Sequence, residues 1–306
     1  MKIRLLSLAL LLAILLGCFT LIACNKTPGS TSGDPATSGN TSTVVPVTSE
    51  DDGEDKYAGV STTVKLNGTT ADISGEGAAF DAATGRLSLT KQGTYTLSGV
   101  LENGQIYVCV DKTERVQVIL NGVSVTSKTG SAFYGDSSDK IRIVAAEGTT
   151  NTFTDAVKYQ FEGTEPDSNA CIFSDDDLTF KGTGSLVVVG QYKNGISSKN
   201  DIKFTEGSVM VNAVNTGIRG KGSITIESGS VKVNAAKDGL KSTSTDAGKG
   251  YILISGGTVD IEAGDDAIQA ESDVTVADCK VTVKCDGKTV NCAGSENIAE
   301  GCLTEK

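Results

Sequence analysis

From Ala170 to Lys288 the apolar residues fall in short alternating runs that come in pairs and recur about every 22 residues. Ser223-Ile224-Thr225-Ile226 and Ser230-Val231-Lys232-Val233 are one pair, split by Glu227-Ser228-Gly229. Ile252/Ile254 with Val259/Ile261, and Val274/Val276 with Val281/Val283, repeat it downstream. Ile202/Phe204 with Val209/Val211, and Leu178/Phe180 with Leu186/Val188, repeat it upstream. Such alternation, rich in Val, Ile and Thr, predicts half-buried strands. Each copy turns a corner on a short phrase: Asn194-Gly195-Ile196, Thr216-Gly217-Ile218, Asp238-Gly239-Leu240, Asp266-Ala267-Ile268 and Asp286-Gly287-Lys288, with Ala170-Cys171-Ile172 as a looser first member. The last position of each phrase opens a third, shorter strand. These positions step by 24 (172 to 196), 22 (196 to 218), 22 (218 to 240), 28 (240 to 268) and 20 (268 to 288).

Three short strands and three turns in one such period make one coil of a parallel β-helix, in which each repeat packs only on its neighbours. A leucine-rich repeat shares the period but demands a leucine skeleton, and these columns are Ile, Val and Gly. Gly207, Gly229 and Gly257 mark one corner, where a tight turn often needs positive φ; Cys279 takes that place in the last full copy. Strand-like runs between residues 57 and 125 are irregularly spaced and predict an N-terminal β cap with the first coils, blunting an exposed sheet end. Residues 126–306 are read as the repeats proper. Residues 147–169, with Phe153, Tyr159 and Phe161, are too long for a turn and predict a loop excursion.

The chain begins with Lys2 and Arg4, an apolar run from Leu5 to Leu16, and then small residues and cysteines, the pattern of a secretory signal in residues 1–23. Leu21-Ile22-Ala23-Cys24 resembles a bacterial lipobox and makes Cys24 the expected lipidation site, with Cys18 as a rival. Residues 24–56 are Thr, Ser, Gly, Pro and Asp with almost no apolar content, hence a flexible tether. The expected location is the extracellular face of a bacterial membrane, with the lipid as the only membrane contact and the chain a monomer. A net charge of −11 argues against nucleic acid and anionic lipid as partners. The absence of histidine excludes Ser-His-Asp chemistry and most zinc catalysis. The cysteines Cys109, Cys171, Cys279, Cys285, Cys292 and Cys302 permit disulfides or buried thiols, and spacing does not choose between them.

Repetition turns a side chain at one phase into a column. With coils about 4.8 Å apart, Asp238, Asp266 and Asp286 would form a stack of like charges, with Asp265 and Glu271 beside it. Carboxylates at that separation repel by about 3 kcal/mol at an effective dielectric of about 20. A cation between them removes the cost, and Ca²⁺ is the cation suited to such oxygen ligands outside the cell. Asp177 and Asp201 form a second acidic knot, and Asp246 projects from a longer turn. A lone Asp-Gly is otherwise simply a good turn. Lys193, Lys199, Arg219, Lys221 and Lys241 flank the same phrases and suit carboxylates on a sugar polymer. Tyr134, Tyr192 and Tyr251 offer ring faces for sugars, although the chain has no tryptophan.

The ordered phrases Asn121-Gly122-Val123-Ser124-Val125, Asn169-Ala170-Cys171-Ile172-Phe173-Ser174, Asn194-Gly195-Ile196-Ser197-Ser198-Lys199, Thr216-Gly217-Ile218-Arg219-Gly220-Lys221, Asp238-Gly239-Leu240-Lys241-Ser242 and Gly264-Asp265-Asp266-Ala267-Ile268-Gln269-Ala270-Glu271 resemble a known family. It is the carbohydrate-binding-domain-containing family of bacterial surface β-helices, similar in architecture to pectate lyases. The likeness covers most of residues 60–285. It implies a right-handed, single-stranded parallel β-helix, bound calcium, and binding of acidic plant polysaccharide such as polygalacturonate (pectin), without established lyase activity. Ala267 departs from the glycine usual in its phrase. The leading expectation is therefore non-catalytic, calcium-dependent polysaccharide binding. The alternatives are a polysaccharide lyase, with Arg219, Lys221 or Lys241 abstracting a proton, and a structural adhesin or scaffold.

Overall fold

Twenty-eight short strands and one 3-10 turn make up residues 52–160 and 168–306, the part of the chain that the computed structural model describes. The signal segment, Cys18, Cys24 and the tether up to residue 51 lie outside the described residues, as does Phe161. The strands wind into about nine coils, each crossing three faces. In one coil Ile218–Gly220 lies on the first face, Ser223–Ile226 on the second and Ser230–Ala235 on the third. The next coil repeats them as Leu240–Ser242, Tyr251–Ile254 and Thr258–Ala263, paired in parallel and in register. The chain is the parallel β-helix its periodicity predicts.

Register explains the apolar pattern. Ile196, Ile218, Leu240 and Ile268 stand in one inward column on the first face, and Ile202, Ile224, Ile252 and Val274 in another on the second. All eight are fully buried. β-branched side chains are stiff and pack well on a pleated surface, so each column is a continuous apolar stack. At the corner between second and third faces, Gly207, Gly229 and Gly257 have φ of 87°, 82° and 77°. A Cβ on Gly229 or Gly257 would also lie 2.5 Å from the carbonyl oxygen of the glycine one coil below. Register places Cys279 above Gly257, and there Asp278 takes the left-handed conformation instead, with φ of 54°.

The N-terminal end is closed by antiparallel pairing. Val60–Gly68 pairs in parallel with Gly93–Leu101 but antiparallel with Ala71–Ser74, and Ala78–Asp81 folds back on Arg86–Leu89. These reversals stop the stack from templating further strands.

Two boundaries differ from the sequence reading. The fold starts before Tyr57: the 3-10 turn Glu54–Tyr57 lies over the outward row of the second face and buries Arg142 completely. The Arg142 guanidinium sits 3.9 Å from the Tyr57 ring centre, with Nη1 2.7 Å from Glu54 Oε1 and 2.9 Å from Gln117 Oε1. Nη2 lies 3.0 Å from Asp52 Oδ2, and the Tyr57 hydroxyl donates to Asp52 Oδ1 at 2.6 Å. A composition with almost no apolar residues looked like pure tether, but one tyrosine and two carboxylates suffice to hold its end on a buried arginine. The insertion is also shorter than 147–169. Thr150–Thr154 is a regular third-face strand paired with Ser185–Val189, and Phe153 packs edge-on to Phe133 in the core. The excursion therefore starts at Asp155.

Asp155 anchors that excursion. It is fully buried, accepts from the Tyr159 hydroxyl at 2.6 Å and from the Gln191 backbone N–H at 2.5 Å, and Tyr159 stacks on Tyr192 at 4.2 Å. Burial pushes its carboxyl up to about 6 despite those donors. Because the folded carboxyl holds its proton more tightly than the unfolded one, its contribution to stability falls as pH rises through this window. Asp155→Asn is expected to gain on the wild type by about 3 kcal/mol between about pH 4 and pH 7, measured by urea unfolding at each pH. Arg142→Ala is expected to cost about 2 kcal/mol and to open residues 52–57 to limited proteolysis, less than a fully buried pair would because Glu54 is 68% exposed.

Candidate functional site

The corner between the third and first faces carries a polar column. Backbone N–H groups of Gly195, Gly217, Gly239 and Ala267 donate to the carbonyls of Thr216, Asp238, Asp266 and Lys288 one coil on, at 2.9 to 3.1 Å. The column therefore reads Asn194, Thr216, Asp238, Asp266, Lys288. Asp286 is not in it. Val290, not Lys288, sits above Ile268, because the inward position needs an apolar side chain. The last step is thus 22 residues (268 to 290), and Asp286 and Gly287 fall over Gly264 and Asp265 instead. The glycine in these phrases also has another cause than turn geometry: its φ is not positive. A Cβ on Gly195, Gly217 or Gly239 would lie 2.1, 2.2 or 2.4 Å from Val211, Val233 or Ile261 inside the coil.

Carboxylate oxygens of Asp238, Asp265 and Asp266 lie within 4.8 Å of one another, and no other such group of three converges among the described residues. Asp238 and Asp266 are buried, while Asp265 is exposed. Lys241 Nζ lies 2.8 Å from Asp238 Oδ2, and the Thr216 hydroxyl lies 3.4 Å from the same oxygen. Asp266 accepts from the Lys288 backbone N–H at 2.8 Å and from Asn291 Nδ2 at 2.6 Å. Asn291 carried no motif and Lys288 stood at another position of its phrase, and only the corrected register brings them here.

On the first face the outward row runs Tyr107, Tyr134, Phe173, Ser197, Arg219, Lys241, Gln269, Asn291. Its N-terminal half is an aromatic stack, with Tyr107–Tyr134 and Tyr134–Phe173 centroids 5.7 and 5.5 Å apart. Tyr134 and Phe173 are buried, so they offer no open sugar platform. Its C-terminal half is cationic and polar. Arg219 and Lys241 are register neighbours, and Lys241 reaches the carboxylate corner at Asp238; burial lowers the Arg219 pKa, and its Nη2 donates to Thr243 Oγ1 at 3.1 Å.

The remaining sequence candidates lie elsewhere. Lys199 is spent on Asp175 at 3.0 Å and lies over Phe173, Lys193 lies over the Tyr192 ring, and Lys221 is exposed past the end of its strand. Asp177, Asp201, Asp246, Glu271 and Tyr251 gather toward the next corner, between first and second faces. There Asp201 is held by Lys249 at 2.5 Å and by the Ser223 hydroxyl at 2.9 Å, and Asp177 accepts from the Asp201 N–H at 3.2 Å. Asp246 pairs with the Ser244 hydroxyl, and Glu271 is exposed beside Gly250.

A groove of about 530 Å³ runs along the third face on the other side of the carboxylate corner. Its floor includes Asn212, Asn234, Glu262 and Lys284, in register on consecutive coils. The repeated phrase Val-x-Val-Asn-Ala, at 209–213 and 231–235, was the sequence signal for it.

The sequence model of the family described as carbohydrate-binding domain-containing protein matches residues 83–304. The chain belongs to that family. A family relative of that description from Acetivibrio thermocellus is 47% identical over 219 residues, covering 71% of this chain and 77% of the relative. A solved structure of the polysaccharide lyase-like protein from C. thermocellum, a gadolinium derivative, superposes with a TM-score of 0.78 at 38% identity. It spans 80% of this chain and 99% of that one. In this family member Asp266 ties the final coil to the one before it. Asp266→Ala is expected to destabilise by about 1 kcal/mol and to raise amide exchange at Lys288, because two part-buried donors lose their acceptor.

Proposed function

We propose that this family member binds polysaccharide outside the cell, acting through Ca²⁺ held by Asp238, Asp265 and Asp266 and through Arg219 and Lys241 facing uronate carboxylates. The observation that carries the reading is the convergence of three carboxylates at one corner with two cations in register on the adjoining face. The donors fit the ion in type: all are hard oxygens, and Lys241 offsets only one of three negative charges. Bound there, calcium supplies positive charge beside Arg219 and Lys241. Arg219 presents a planar fork suited to a carboxylate, and its partial burial strengthens such a pair. The Leu21-Ile22-Ala23-Cys24 phrase supports export and lipid anchoring.

Polygalacturonate is the glycan this site suits best. Calorimetric titration of galacturonate oligomers is expected to show binding in calcium and at least tenfold weaker binding in chelator. Arg219→Ala with Lys241→Ala is expected to weaken binding tenfold or more, about 1.4 kcal/mol. Absence of heat with calcium present would overturn the reading. Chelator is also expected to lower the melting temperature, and Asp238→Ala with Asp266→Ala to abolish that sensitivity. An unchanged melting curve would return the carboxylates to a plain ion pair with Lys241. The register pair of Arg219 and Lys241 also suits one second reading, a lyase in which a basic group among Arg219, Lys221 and Lys241 abstracts the proton next to the uronate carboxyl group as the neighbouring glycosidic oxygen leaves. Steady release of unsaturated product in the same samples would establish that reading.

A further inference from the structure

We propose that the third-face groove is a second glycan site, one that takes an uncharged, hydroxyl-rich sugar chain lying along the solenoid axis. This rests on the reading of the protein as a polysaccharide binder and assigns to it a surface on the other side of the carboxylate corner from Arg219 and Lys241.

Three features of the groove point to that ligand. The first is its shape. The row Val189, Asn212, Asn234, Glu262, Lys284 is in register through five consecutive coils. Four coil spacings give a track of about 19 Å along the axis. Beside it Gly190, Ala213, Ala235 and Ala263 form a register row of minimal side chains, and that row makes the recess.

The second feature is its hydrogen-bonding chemistry. Asn234 Nδ2 donates to Asn212 Oδ1 at 2.9 Å. A carboxamide offers two donor hydrogens and an acceptor oxygen, so this contact uses only part of either group. The pair lines the groove with donor and acceptor capacity repeated at the coil spacing, matched to hydroxyls that both donate and accept. Val214, 54% exposed at the rim, adds apolar surface for the carbon faces of a sugar ring.

The third feature is charge. Glu262 is paired with Lys306 at 3.2 Å, and the lining holds Asp286 as well as Lys284. The groove thus has no surplus of positive charge, in a chain of net charge −11. A uronate polymer is drawn to the first face and not to this one.

The test titrates neutral oligosaccharides of glucose, xylose or mannose, and separately galacturonate oligomers, into the intact protein. Neutral chains are expected to bind the wild type. Asn212→Ala with Asn234→Ala is expected to weaken them about tenfold. Ala236→Tyr, which fills the recess from an exposed lining position, is expected to abolish binding, with melting temperature as the check on folding. Amide exchange at residues 212–214 and 234–236 of the wild type is expected to slow when a neutral chain is added, a reading that needs no variant. Neutral binding that survives both substitutions without protection at those amides overturns the groove and leaves the polysaccharide-binding reading standing. Binding of galacturonate alone does the same. Absence of binding to every glycan overturns both.

Discussion

Everything in this molecule depends on parallel register being kept from coil to coil. Each interior column is a stack of Ile, Val and Leu, and a slip of one residue would turn those side chains outward and bring polar ones in. The apolar interior therefore fixes the phase of every outward row as well. Arg219 beside Lys241, Asn212 beside Asn234 and Asp238 beside Asp266 are neighbours because the Ile, Val and Leu one or two positions away are neighbours. The glycines at 195, 217 and 239 belong to the same constraint, since the interior Val and Ile leave no room for a Cβ there.

The carboxylate corner shows what such stacking does to charge. Repetition would pile aspartate on aspartate, and the chain interrupts the pile at both ends. Thr216 precedes Asp238, Lys288 follows Asp266, and Lys241 reaches back three residues to Asp238. What remains is a small cluster of three acidic groups between a cationic first face and an amide-lined third face. One period thus places three chemistries side by side on one edge of the solenoid, each extended along the axis. That geometry suits a linear polymer better than a small molecule.

The two outer features that broke the expected boundaries share a physical origin. Arg142 lies on an outward row where a strand pattern reads as solvated, yet it is sealed by Tyr57 and paired with Asp52 and Glu54 from a segment with the composition of a tether. Asp155 is a single acidic residue in an irregular stretch, yet it ties the excursion to the coil through Tyr159 and Gln191. Neither contact follows a period, so neither is visible as a pattern. Likewise Lys112 holds Asp176 across 64 positions of sequence at 2.8 Å, which removes one of three consecutive aspartates from any metal site.

The sequence by itself determined the coil: alternating Ile and Val pairs, a corner glycine and a period near 22 admit one packing, because each strand must bury one face against its own copies. It also determined that Asp238 and Asp266 would align, and Arg219 with Lys241, since those pairs lie at equal phase from unambiguous apolar anchors. The tertiary structure decided the final coil, where Lys288 looked like the phrase's last residue but only Val290 can enter the core above Ile268. That two-residue shift moved Asp286 out of the acidic column and into the rim of the groove. It decided, too, which candidate cations are already paired and which aromatics are covered. Periodicity specifies the neighbours along the axis, while contacts around the circumference depend on where each corner bends, and no repeat in the sequence encodes that.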